Sequence, residues 1–100
     1  MSLTLAQEQA TRSEFAANIK RSGLSLATIA AALGTTADTI EEEVIQLNPK
    51  RLEDPWIVRN YLLDEMSKKG QTPVLFTALK GDFHHYWFLN NKIIERGKID

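Results

Sequence analysis

The sequence predicts a mainly α-helical single domain, with a repressor-like helix-turn-helix in its first half and a short β-hairpin near the C-terminus. Its 100 residues suit one hydrophobic core. The 43% apolar and 25% charged residues are typical of a globular domain. Four segments place apolar residues at helical spacing between capping signals. We expect one domain over residues 1–100, with the helix-turn-helix at about 25–47, a fourth helix at about 55–69 and an aromatic C-terminal segment at 71–100.

The first helix is predicted over about residues 5–22. Thr4 and Gln7 form a capping-box pattern, in which each side chain accepts a hydrogen bond from the other residue's backbone N–H. Gly23 is suited to a left-handed stop. The expected buried stripe consists of Leu5, Phe15, Ala16 and Ile19.

Two shorter helices are predicted next, over about 26–33 and 37–47. Ser25 is suited to cap the first of them, and Gly34 to end it in the left-handed conformation. The second begins after one of the threonines at 35–36 and ends at the Asn-Pro pair that follows it, because proline disfavours helical backbone in the residue before it.

These two helices reproduce the spacing of the repressor-type helix-turn-helix. Ala30 lies four residues before Gly34, where a small side chain lets the helices cross closely, and Ile40 lies six residues after it. Gly34 suits a turn that needs a positive φ. The same residues are compatible with an ordinary helical hairpin, in which this alanine and glycine have no special role.

A fourth helix is predicted over about 55–69. Asp54-Pro55 combines an N-cap acceptor with the first helical position, where the missing N–H of proline costs nothing. Thr72-Pro73 then opens an extended stretch. Residues 74–79 fit either a strand or a short turn of helix.

The end of the chain predicts a small hairpin. Tyr86-Trp87-Phe88-Leu89 and Ile93-Ile94 flank the polar pair Asn90-Asn91, a pattern typical of two short strands and a turn. The aromatic cluster of Phe83, Tyr86, Trp87 and Phe88 is expected to cover the fourth helix as core or to form part of an interface.

Several segments resemble a known family of small bacterial proteins. They are Leu24-Ser25-Leu26, Ile29-Ala30, the run from Asn48 to Trp56, Arg59-Asn60-Tyr61-Leu62, the run from Phe76 to Asp82 and the run from Tyr86 to Asn90. Together they span nearly the whole chain and are similar to the family called domain of unknown function 2316. The resemblance implies a helix-turn-helix fold related to repressor domains, and it brings no activity, ligand or catalytic residue.

The charges of the predicted recognition helix conflict with simple DNA binding. Residues 1–50 carry four basic and six acidic side chains, within a net charge of −1. Carboxylates repel the phosphates that flank a major groove. The outward face of the third helix is expected to consist of Thr36, Asp38, Thr39, Glu41, Glu42 and Ile45, with Glu43 beside it. Backbone phosphates could be gripped from either side by Arg12, Lys20, Arg21, Lys50 and Arg51, unless these side chains are only solvated.

Other kinds of site find little support in the sequence. The chain has no cysteine, which excludes disulfides and thiolate chemistry. His84 and His85 follow Asp82, but adjacent histidines in an extended segment point to opposite sides and no third ligand is suitably spaced. We therefore expect no catalytic residue, no metal and no cofactor. The absence of a signal-peptide pattern and of an apolar run of about 20 residues predicts a cytoplasmic location without membrane association.

Two functions are compatible with this pattern. The first is a regulator-like helix-turn-helix protein that binds DNA in transcriptional regulation. The second is a protein-interaction module that keeps the helix-turn-helix but does not bind DNA, because the recognition helix is acidic. Its partner would be another protein or a second copy of the chain.

Overall fold

The computed structural model describes residues 3–86 and 88–99, with Phe83 described by its backbone alone. These residues form the helices α1 (Leu5–Ser22), α2 (Leu26–Leu33), α3 (Ala37–Ile40), α4 (Glu53–Lys68) and α5 (Asn91–Arg96). Helix α3 continues as a π-helical turn over Glu41–Ile45, and a single 3₁₀ turn occupies Phe83–His85. The prediction of a mainly helical fold is confirmed.

Helix α1 begins and ends where the sequence predicts. Thr4 Oγ1 accepts the Gln7 N–H at 3.1 Å, and Gln7 Oε1 accepts the Thr4 N–H at 2.9 Å, which completes the capping box. Its buried face differs from the prediction, since Leu5 is 70% exposed and Ala16 is also exposed. The buried residues are Thr11, Phe15, Asn18 and Ser22. Three of these four side chains are polar.

An extended segment over residues 71–77 lies along α1 and explains one of these buried polar side chains, that of Asn18. The hydroxyls of Thr11 and Ser22 donate instead to carbonyls of α1 itself. Asn18 Nδ2 donates to the Val74 carbonyl at 2.9 Å, and Asn18 Oδ1 accepts the Val74 N–H at 2.8 Å. A buried backbone amide needs such partners, which a neighbouring strand would otherwise supply. The buried side-chain amide of Asn18 therefore replaces a strand at this position.

The same face of α1 holds the segment at two further points. Glu14 accepts the Thr77 N–H at 3.1 Å and the Thr77 hydroxyl at 2.7 Å. Arg21 Nη1 donates to the Thr72 carbonyl at 2.9 Å. Residues 14, 18 and 21 are spaced by about one helical turn, so they share one side of the helix. The segment is extended without being part of a sheet.

Helices α2 and α3 have the predicted caps but α3 has a different end. Ser25 and Thr36 supply the N-cap hydroxyls, and Gly34 has a φ of 78°. The backbone is α-helical only as far as Ile40 and then widens into the π-helical turn over Glu41–Ile45. The helix predicted over about 37–47 is therefore present as far as Ile45, but its second half is π-helical instead of α-helical.

Helix α4 begins at Glu53, two residues before the predicted start. Its N-cap residue, Leu52, provides no side-chain cap, and Pro55 lies in the first turn, where the N–H groups lack intrahelical acceptors. Asp54 is buried and does not cap the helix; its Oδ1 accepts from Arg51 Nε at 3.2 Å and Nη2 at 3.1 Å. The residue predicted as a cap is therefore an internal acceptor.

The predicted β-hairpin is wrong, because residues 3–86 and 88–99 contain no strand. The Asn90 side chain accepts from the N–H groups of Lys92 and Ile93, at 3.1 and 3.3 Å, and so caps α5. The polar pair that resembled a hairpin turn is a helix N-terminus. Trp87, which the prediction placed in the first strand, lies outside the described residues.

The hydrophobic core forms between α1, α4 and the π-helical turn, with α2 packed against α3 and α5 against α4. Its fully buried side chains include Phe15, Ile29, Ile40, Val58 and Leu62. The C-terminal tail covers the end of α2, because the Ile99 N–H donates to the Leu33 carbonyl at 2.7 Å. None of the helices described here combines the length and apolar character needed to cross a membrane.

Candidate functional site

The predicted outward face of α3 lies largely at the surface. Thr36, Asp38, Glu41 and Glu42 are exposed, and Thr39 and Ile45 are half-buried. Glu43 does not lie beside this face as predicted, because it is only 1% exposed. Glu43 lies three residues after buried Ile40 and directly before buried Val44, so helical spacing places it on their inward side. The exposed part of the face keeps the negative charges of Asp38, Glu41 and Glu42.

The cationic residues predicted to grip phosphates have different surroundings. Lys20 and Lys50 are exposed, and Arg12 is half-buried. Arg21 donates to the backbone of the extended segment, as described above, and Arg51 forms an ion pair with buried Asp54, with 3.1 Å between Nη2 and Oδ1. Both arginines therefore have a structural role that competes with phosphate contact.

A buried carboxyl pair lies behind the exposed face of α3. Glu43 and Asp54 are 1% and 2% exposed, and the two carboxyl groups contact each other. A negative charge on both groups at once is unfavourable in this buried position. Burial and the contact with Asp54 raise the pKa of Glu43 to about 7. Glu43 Oε2 is buried without a hydrogen-bond partner in the described part of the chain, which makes a negative charge on this carboxyl group costly.

The pair also ties down the loop between α3 and α4. Glu43 Oε1 accepts the Lys50 N–H at 3.1 Å. Arg51 neutralises the Asp54 carboxylate from the same loop. Three consecutive parts of the chain, the π-helical turn, the loop and the first turn of α4, therefore meet at these two carboxyl groups.

Leu47 connects this loop to an apolar cleft. Its φ of 53° is the single positive value at a non-glycine residue in the described part of the chain. The left-handed conformation costs an ordinary residue about 1–2 kcal/mol. The Asn48 N–H donates to the Glu42 carbonyl at 2.9 Å, which closes the end of the helix around Leu47. The Leu47 side chain lines the cleft, and its contacts there help to offset the strain.

The cleft has a volume of about 230 Å³. It lies between the loop after α3, the start of α4 and the C-terminal segment, and its apolar lining includes Leu47, Pro49, Leu52, Trp56, Tyr86 and Phe88. The rings of Trp56 and Tyr86 are 5.2 Å apart, and those of Tyr86 and Phe88 are 5.6 Å apart. These tilted and edge-to-face ring pairs form a continuous wall. Glu8 of α1 also lines the cleft and is the charged side chain there.

Arg59, to which the sequence assigned no role beyond the family resemblance, supports the aromatic wall. Its Nε donates to the Leu79 carbonyl at 2.8 Å, and its Nη2 donates to the Gly81 carbonyl at 3.2 Å. Its guanidinium carbon lies 5.0 Å from the centroid of the Trp56 ring. Burial lowers the pKa of Arg59. The sequence signal is an arginine that directly follows the apolar run Trp56-Ile57-Val58 in α4.

His84 joins two parts of the C-terminal region. One ring nitrogen lies 2.6 Å from Asp82 and the other 2.7 Å from Glu95 of α5. The hydrogen bond to Glu95, followed by that to Asp82, raises the pKa of His84. Both ring nitrogens are occupied, and the described residues contain no group of three side chains placed to hold a metal ion. His84 therefore links Asp82 to α5 through two hydrogen bonds at the protein surface.

The comparison with known families agrees with the resemblance seen in the sequence. A family model described as an uncharacterised protein conserved in bacteria, DUF2316, matches residues 1–90. The chain belongs to this family. The DUF2316 match includes the acidic face of α3, the carboxyl pair and all residues that line the cleft. No curated protein and no solved structure matches the chain significantly.

Proposed function

We propose that the chain is a non-catalytic interaction module, in which α2 and α3 form a repressor-like helix-turn-helix whose acidic face binds a cationic protein surface. The observation that supports this proposal is the exposure of Asp38, Glu41 and Glu42 on α3. Residues spaced by three and four positions share one side of a helix, so the three carboxylates act on the same partner surface. The left-handed turn at Gly34 and the small buried Ala30 are compatible with the helix-turn-helix.

DNA binding is the competing function, and the charges oppose it. Affinity for duplex DNA comes mainly from lysine and arginine side chains that neutralise phosphates. A recognition helix with three exposed carboxylates would bring negative charge into the groove. Two of the predicted phosphate ligands, Arg21 and Arg51, are already engaged within the protein. A cationic protein partner meets neither obstacle, and complementary charge favours its approach.

The experiment compares two matched double variants by fluorescence anisotropy with a labelled oligolysine peptide. Glu41→Gln with Glu42→Gln removes two carboxylates from α3. Asp64→Asn with Glu65→Gln removes the same charge from α4. We expect the α3 variant to weaken peptide binding about fivefold or more, the effect of losing two exposed ion pairs. The α4 variant should bind nearly as the native protein does.

A second arm uses duplex DNA at physiological salt. The native protein should bind generic duplex no more tightly than about 10⁻⁴–10⁻⁶ M. Changing Asp38, Glu41 and Glu42 to lysine should raise this affinity if α3 is presented as in repressors. The proposal would be overturned in favour of DNA binding if the native protein bound a defined operator with sub-micromolar affinity. The double substitution Thr36→Ala with Thr39→Ala would then have to abolish this binding. Equal weakening of peptide binding by the two matched variants would also overturn it.

A further inference from the structure

The aromatic cleft and the acidic face of α3 are formed by different residues. Its lining comes from distant parts of the chain, including the loop at Pro49, the α4 residue Trp56 and the C-terminal Phe88. Nearly all the lining groups are apolar, and Leu52 at the edge is 48% exposed. Ligand sites are usually concave, mostly apolar and equipped with a few polar groups. The cleft has this composition.

The size of the cleft limits its occupant to a small molecule. An engineered apolar cavity of about 150 Å³ takes up benzene. The volume here is about 230 Å³, which leaves room for one aromatic ring with a short side chain. Arg59 holds one wall of this space in place through Leu79 and Trp56.

The charge of the occupant follows from Glu8. This residue is half-buried, and its carboxylate has no hydrogen bond or ion pair with the described residues. A carboxylate beside apolar walls favours a cation with which it can pair, because an unpaired charge loses solvation there. Aromatic ring faces also attract cations, as the position of Arg59 over Trp56 illustrates in this chain. Both features favour a positive ligand over a neutral or negative one.

We propose that the cleft binds a small hydrophobic ammonium ion, with its apolar body against Trp56, Tyr86 and Phe88 and its ammonium group paired with Glu8. This site is independent of the acidic face of α3 and does not rest on the function proposed above. Leu47 and Pro49 form the side of the site that the carboxyl pair holds in place.

The test is isothermal titration with three probes of similar shape and different charge. These are 2-phenylethylamine, the neutral 2-phenylethanol and the anionic 3-phenylpropionate. We expect the amine to bind about tenfold more tightly than the alcohol, the effect of one hydrogen bond to a charged group. The anion should bind most weakly. Chemical-shift changes of backbone amides next to Tyr86 and Phe88 locate the site.

The matched variants are Glu8→Gln, which removes a carboxylate from the cleft, and Asp64→Asn, which removes an exposed carboxylate from α4. Glu8→Gln should abolish the preference for the amine over the alcohol while both still bind, and Asp64→Asn should leave the preference unchanged. Ala78→Phe should block all three probes, because it fills the cleft; its thermal melt verifies that the protein is folded. Equal binding of amine and alcohol by the native protein, binding of the amine elsewhere, or no binding of any probe would overturn the proposal.

Discussion

Replacing Glu43 with glutamine should make the protein more stable at alkaline pH. The native carboxyl group has a pKa of about 7 in the folded protein, against an ordinary value of 4.5. Between about pH 4.5 and 7, the Glu43 carboxyl group is therefore protonated in the folded protein and ionised in the unfolded chain. Stability contributed by the neutral acid is complete below about pH 4.5 and is lost as the pH rises to about 7. Above that value the folded protein holds a buried charge.

The loss in the free energy of unfolding can be calculated from the pKa shift of Glu43. Each unit of pKa corresponds to 1.36 kcal/mol, so the move from 4.5 to about 7 amounts to about 3 kcal/mol. Glutamine has no charge at any pH, can accept the Lys50 N–H through Oε1 and can donate to Asp54 through Nε2. We therefore expect Glu43→Gln and the native protein to be similarly stable at about pH 4, with the variant more stable by up to about 3 kcal/mol at about pH 8.

Urea unfolding at a series of pH values measures this difference. Glu41→Gln is the matched control, since it removes an exposed carboxylate two positions away, and its stability should follow the native curve. A domain of this size changes its Tm by about 4–8 °C for each kcal/mol, so thermal melts are sensitive enough to confirm the result. A Glu43→Gln variant that is destabilised by the same amount at every pH would refute the interpretation that Glu43 is protonated in the folded protein below about pH 7.

Three further predictions concern the C-terminal region. Asn18→Ala should lower the free energy of unfolding by about 2–4 kcal/mol, because both backbone groups of Val74 lose their buried partner; an unchanged urea midpoint would contradict this. Arg59→Lys should cost about 1–3 kcal/mol, because lysine cannot contact the Leu79 carbonyl and the aromatic rings together; calorimetry measures the loss, and a native-like melt would rule it out. His84→Gln should destabilise the protein most below about pH 6.5, with the difference shrinking as the pH rises through the raised pKa of the folded histidine; urea curves showing a difference that grows with pH would refute it.

The parts of the fold that the sequence predicts correctly depend on local contacts. The capping box at Thr4 and the left-handed stop at Gly34 each involve residues within one turn of one another. Such contacts have the same geometry in any surrounding structure. The existence of α1, α2 and α4, and most of their bounds, could therefore be predicted without knowledge of the tertiary fold.

The predictions are wrong where one local pattern is compatible with two structures, or where a residue distant in sequence determines which structure forms. Asn90 suits a hairpin turn and a helix cap equally well, and the Glu53 carboxylate, which accepts the Asn90 N–H at 2.8 Å, belongs to α4. Glu43 looked like a surface residue because its partner, Asp54, follows eleven positions later on another helix. The acidic surface of α3 could be proposed from spacing alone. The cleft could not, since its walls meet only in the folded chain.

The contact between Asn18 and Val74 fixes the register of the last third of the chain. Phe76 is 7% exposed and its neighbour Leu75 is 79% exposed. If the segment shifted by one residue along α1, the Leu75 side chain would be buried and the Phe76 ring would be exposed to solvent. No sheet is present at this place to enforce the alignment, and the two partners are 56 residues apart. Closing a loop of that length costs chain entropy before any contact compensates for it. The Asn18 amide, with Glu14 and Arg21 on the same side of α1, therefore selects one alignment of the extended segment in place of a sheet.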